Sequence, residues 1–194
     1  MKKRLLCAVL ATFMLTGCDM MTGEPVATPT PAVSKAPAVI DVLDEYAILD
    51  GHSLHTNADG GFSIQLPEGT TIDDGNPNNI IFTIPSEFET VDTITVAYTE
   101  TSTVIDPEAK LMDMLRNDDT IDITGFFLLK NNGAYKGYKY TYTAMDDPLL
   151  KGIKSVYFAN DGSAYEVTAT IVNGGDEITV TNINTIVDTF INYK

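Results

Sequence analysis

Tryptophan is absent from these 194 residues, and cysteine and histidine occur only twice each. Both cysteines lie in the first 18 positions, at Cys7 and Cys18. Residues 19–194 can therefore form no disulfide, no thiolate metal site and no cysteine nucleophile, and their stability must come from packing. Basic residues are scarce too: 12 Lys and Arg stand against 27 Asp and Glu, a formal charge of −15. An acidic chain of this kind is repelled by nucleic acid and by anionic lipid surfaces, which excludes nucleic-acid binding. The charge could favour a basic partner or divalent cations, but a solvated acidic surface accounts for it equally. The chain has no phosphate-cradling glycine loop, no G-x-S-x-G elbow and no S-x-x-K motif. With 27 acids, carboxylates meet by chance, and no glycosidase-type pair can be singled out.

The amino terminus carries a strong signal. Lys2, Lys3 and Arg4 precede an almost continuous apolar run from Leu5 to Leu15, too short for the ~20 residues that cross a bilayer. Leu15-Thr16-Gly17-Cys18 then resembles the bacterial lipobox, in which the cysteine thiol receives a diacylglyceryl group and the peptide is cut before it. The resemblance implies a signal peptide over 1–17, a lipidated Cys18 and an extracytoplasmic protein held to the cell membrane. Two or three acyl chains anchor firmly where one holds marginally. Loss of the three basic signal residues would leave nine basic against 27 acidic residues, a charge of −18.

Residues 18–56 read as a tether. The stretch "DMMTGEPVATPTPAVSKAPAV" holds four of the nine prolines and no aromatic residue, so it cannot bury enough apolar surface to fold. In "VIDVLDEYAIL", Val39, Val42, Leu43, Tyr46 and Leu49 lie near a 3.6-residue period, consistent with a short helix or an adhesive linker end. "DGHSLHTNADGG" reads as loop.

Residues 57–194 are long enough for one domain with a core. "GFSIQLP" puts Phe62, Ile64 and Leu66 on one strand face, and "IIFTIP" and "TITVAYTE" supply two more strands. Asp106-Pro107-Glu108 opens a helix with Leu111, Met112 and Leu115 as its buried residues. "IDITGFFLLK" and "YKGYKYTYTAM" flank an Asn-Gly turn, and "KGIKSVYFA" and "AYEVTATIV" form a second hairpin. "GGDEITVTNINTIVDTFINYK" carries Ile178, Ile183, Ile186, Val187 and Phe190 at helical spacing. The order β-β-β-helix-β-β-β-β-helix predicts an α+β fold, with a largely antiparallel sheet of about seven strands and helices packed on it.

"GFSIQLPEGTTI", with the later order of helix, long hairpins, "YEVTATIV" and closing helix, resembles PsbP-like domains and their "GFSI-x-x-P-x-G-W" opening. Thr70 occupies the position of that motif's aromatic residue. The resemblance covers about residues 59–194 and implies an α-β-α sandwich of the kind found in bacterial extracytoplasmic lipoproteins. It assigns no functional residue.

Three features bear on chemistry. His52 and His55 lie near Asp50 and Asp59, but in an apparent loop without the three or four fixed ligands of a zinc site, so no metal is expected. "DDGNPNN" at 73–79 is oxygen-rich and could hold calcium weakly, but it departs from the EF-hand spacing, lacks the closing glutamate and reads as a turn. Tyr138, Tyr140 and Tyr142 share one strand face with Lys136 in register. That row could stack on a sugar or anchor a partner, or it could be the sheet face beneath a helix, the reading favoured here. The expected function is a non-enzymatic, monomeric binding or assembly module without cofactor, acting on an envelope protein or small ligand. A cell-envelope hydrolase using acidic residues is the alternative.

Overall fold

The computed structural model describes residues 37–85, 92–100, 106–117, 120–132, 134–160, 162–172 and 174–193. The expected signal segment, Cys18 and most of the expected tether lie outside the described residues. The compact unit runs from Ala36 to Lys194 and so begins before position 57.

Eight strands form one sheet in the order β1-β7-β8-β9-β10-β6-β5-β4. They are β1 (Ala38–Asp41), β4 (Thr71–Asp73), β5 (Asn79–Ile84), β6 (Asp92–Glu100), β7 (Ile121–Asn131), β8 (Ala134–Ala144), β9 (Lys151–Phe158) and β10 (Ser163–Ile171). Only β1, laid along β7, is parallel to its neighbour. A second sheet pairs β3 (Phe62–Pro67) with β2 (His52–Asn57) on one side and β11 (Ile191–Asn192) on the other. The expected order of strands and helices holds between Phe62 and Asp188, with the short β4 added inside the expected 68–79 turn.

The two helices take opposite faces. Helix α1 (Pro107–Asn117) starts as expected, Asp106 Oδ1 accepting from the backbone amides of Glu108 (3.0 Å) and Ala109 (3.4 Å). Its Leu111 packs on Tyr138, Tyr140, Leu128 and Val156; Met112 is only half-buried. Helix α2 (Glu177–Asp188) and the small sheet cover the other face, where Phe62, Ile64, Phe82, Tyr157, Tyr165, Val167 and Phe190 build the larger core. The layers therefore form an α-β-α sandwich.

Several expectations need correction. Residues 39–49 are not a helix: Ala38–Asp41 is strand, and Val39 and Leu43 are exposed. The loop expected over 50–61 contains β2, which shows little apolar alternation because it is held by backbone pairing to β3. Ile178, expected in the buried stripe of α2, is 69% exposed. Ile183 lies five positions further on, which turns Ile178 about 140° from it around the axis. Phe190 lies beyond the helix; its amide donates to Val187 O (3.2 Å), and the turn after the Thr189 cap keeps its ring on the buried side.

The tyrosine row lies under α1. Tyr138 and Tyr140 are buried and Tyr142 is half-buried, and burial pushes the Tyr138 phenol up to about 12, with Glu166 adding to the rise. Gly137 keeps β8 tight against β9, since a Cβ there would meet Val156 O at 1.9 Å. Tyr140→Ala should cost more than ~2 kcal/mol through the cavity it leaves. Urea unfolding of Tyr138→Ala, Tyr140→Ala and Tyr142→Ala checks this. Three wild-type midpoints would refute a packing role for the row.

Candidate functional site

Alternation along β8 puts Lys139 on the face opposite the tyrosines, beneath α2. It is 1% exposed, and its ammonium pairs with Asp188 at the end of that helix. Burial lowers the Lys139 pKa, and the Asp188 charge and hydrogen bond partly restore it. Ser155, the cross-strand partner of Lys139, and Tyr157 point to the same side of β9. Both are buried, and neither Ser155 Oγ nor Tyr157 Oη has a partner at hydrogen-bonding geometry. Burial is the main cause of the strongly raised Tyr157 pKa, joined by the charges of Asp188 and Tyr46; the nearby Ser155 hydroxyl only moderates it.

A strap, residues 42–51, runs between β1 and β2. Buried Gln65 pins it, Oε1 accepting from the Leu49 amide (2.7 Å) and Nε2 donating to Ala47 O (2.9 Å). The Tyr46 phenol accepts from the Leu43 amide (3.1 Å). Where the start of the strap meets the ends of β7, β9 and the carboxy-terminal segment, a cleft of about 340 Å³ opens. Tyr157 and Phe190 form its buried aromatic part, and Tyr193, 58% exposed, stands at its rim. Asn131, Asn132, Asn160 and Asn192 contribute carboxamides. The two charged groups are already engaged: Asn131 Nδ2 donates to Asp44 (2.7 Å), and Lys136 Nζ donates to Asn160 (3.3 Å). Tyr193 Oη lies 2.5 Å from Ser63 Oγ, which fixes the rim to β3. Asn132 holds φ at 48°, a left-handed conformation that asparagine tolerates better than most residues.

A larger groove, about 750 Å³, follows α2 past Leu49, His52, Pro67 and Pro85. Asp92 and Asp176 line it. Burial raises the Asp92 pKa although the Val172 amide donates to it (3.2 Å), and the Thr179 amide (2.7 Å) lowers that of the helix-capping Asp176. Diverging carboxylates suit acid–base chemistry. Here, however, both are engaged in holding backbone amides.

The histidines do not converge. His52 Nδ1 donates to Asp50 O (2.7 Å), whereas His55 lies edge-on to Phe82 at 5.2 Å with its pKa lowered by burial. Among the described residues no group of three or more His, Cys, Asp or Glu is placed to hold a metal ion. In the 73–79 turn Asp73 and Asn76 side chains accept from the nearby Gly75 and Asn78 amides. Sequence reasoning missed the cleft because its asparagines are ordinary turn residues until the strand ends gather. It also missed Lys139, whose position opposite the tyrosines in a sheet covered on both faces was the available signal.

No protein-family model matches this chain, and no curated protein sequence matches it significantly. A crystal structure from Bacteroides thetaiotaomicron VPI-5482 is similar at a TM-score of 0.44 and 10% identity, over 74% of this chain and 49% of that one. This chain thus spans about half the length of the Bacteroides protein. The Ran-binding protein Mog1p of Saccharomyces cerevisiae is similar at a TM-score of 0.48 and 9% identity, over 74% of this chain and 96% of Mog1p. Both likenesses concern the path of the chain alone, and neither bears on ligand or activity.

Proposed function

We propose that this chain is a membrane-tethered, extracytoplasmic binding module whose end cleft receives its ligand or partner, without catalysis. The observation that carries this reading is the cleft itself, in which the buried Tyr157 and Phe190 rings and four asparagine residues meet beside the exposed Tyr193. The Tyr157 hydroxyl is buried without a partner, which costs ~1–3 kcal/mol. Tyr157→Phe should therefore raise stability by about 1 kcal/mol, or ~3 °C in Tm. Thermal unfolding beside capture through a photo-crosslinking p-benzoylphenylalanine in place of Tyr193 tests this. No crosslinked species from intact cells would overturn the binding reading, and a destabilised Tyr157→Phe protein would show that the hydroxyl is paired.

The tether follows from the lipobox-like Leu15-Thr16-Gly17-Cys18. Cys18→Ala should abolish incorporation of labelled fatty acid and release the protein or leave an uncleaved precursor. Label persisting on the Cys18→Ala chain would refute the anchor. The hydrolase alternative finds carboxylates in the groove along α2, but Asp92 and Asp176 there already hold backbone amides.

A further inference from the structure

We propose that the end cleft takes a neutral, hydroxyl-rich ligand, a saccharide unit, an inference that rests on reading the cleft as the binding site. Its chemistry is balanced. The chain carries a formal charge of −15, yet the cleft holds one cation and one anion, Lys136 and Asp44, each already bonded to an asparagine. A ligand of either sign would meet a like charge there as well as an opposite one. An apolar ligand would have to strip water from four carboxamides.

A sugar matches what remains. Asn131 keeps its carbonyl oxygen and one N–H, and Asn160 keeps its amide donors. Asn132 and Asn192 add two further carboxamides, each able to donate and accept. Sugar hydroxyls also do both, so they can meet this mixed set. The C–H face of a pyranose is apolar and flat enough to lie on an aromatic ring, and Tyr193 exposes such a ring at the rim. The Ser63 hydroxyl holds that ring in place, which limits the entropy lost on binding.

The test is saturation-transfer NMR on the full chain in a detergent without a sugar headgroup. The probes are two neutral trisaccharides, N,N′,N″-triacetylchitotriose and maltotriose, and two charged counterparts, the cationic chitosan trimer and anionic trigalacturonate. At least one neutral sugar should bind with Kd on the order of 1 mM. Asn131→Ala and Tyr193→Ala should each weaken it fivefold or more, whereas Tyr193→Phe, which keeps the ring, should retain binding. Absence of transfer from both neutral sugars at several times that concentration would overturn the inference. So would tighter binding of either charged sugar, or affinity unchanged in both Asn131→Ala and Tyr193→Ala. If the sugars fail while the photo-crosslinker at position 193 captures an envelope protein, the saccharide inference falls and the binding reading stands.

Discussion

Phe190→Ala should lower the free energy of unfolding by about 3–5 kcal/mol, the range for emptying a buried aromatic site. Phe190 is 1% exposed and its ring joins three others, with centroids 4.9 Å from Tyr157, 5.4 Å from Phe62 and 5.7 Å from Tyr165. These rings come from β9, β3 and β10, so one side chain ties both sheets to the segment after α2. Collapse around the void is restricted because Tyr165 Oη donates to Gly60 O (2.7 Å), and the neighbouring β11 is paired to β3. The measurement is the urea midpoint with m compared to wild type. An unchanged midpoint would show that the ring does not bridge these layers.

Asp188→Asn should cost about 3 kcal/mol near neutral pH. Removing one partner of a buried ion pair costs ~3–5 kcal/mol because the other charge is left uncompensated. The low end applies because the Asp188 side chain is 37% exposed, while Lys139 is 1% exposed. The pH dependence has a definite sign. Burial lowers the folded-state pKa of Lys139 below its ordinary 10.5, so the unfolded chain binds that proton more tightly and stability rises with pH through the window between the two values. Loss of Asp188 lowers the folded pKa further and widens the window. The deficit of Asp188→Asn should therefore shrink as pH climbs from 7 toward 10. Above 10 the stability of both proteins falls instead, since burial raises the phenol pKa of Tyr138, Tyr142 and Tyr157 and folding then opposes their ionisation. Unfolding curves at several alkaline pH values check this. A deficit constant from pH 7 to 10 would show that Lys139 does not carry the effect.

Apart from the three-residue β4, the amino-acid sequence by itself determined the strand and helix order from Phe62 to Asp188, because the other elements there are long and their patterns strong. Phe62, Ile64 and Leu66 announce β3, Asp106-Pro107 announces α1, and the "YKGYKYTYT" alternation announces β8. Ile183, Ile186 and Val187 likewise mark the buried face of α2. The acidic charge, the missing thiols beyond Cys18 and the lipobox-like start are also legible without coordinates. Tertiary structure alone decided the rest. Strands β1 and β2 exist because backbone groups of β7 and β3 lie open beside them, and backbone pairing leaves little trace in side-chain pattern. Ile178 is exposed because the helix turns it away, although hydrophobicity marked it for the core. Lys139 is buried because Asp188, 49 residues further on, arrives at its ammonium. The cleft has the same origin: Asp44, Asn131, Asn160, Tyr157 and Tyr193 are scattered over 150 positions, and only the closing of two sheets around one core puts them at one end of the molecule.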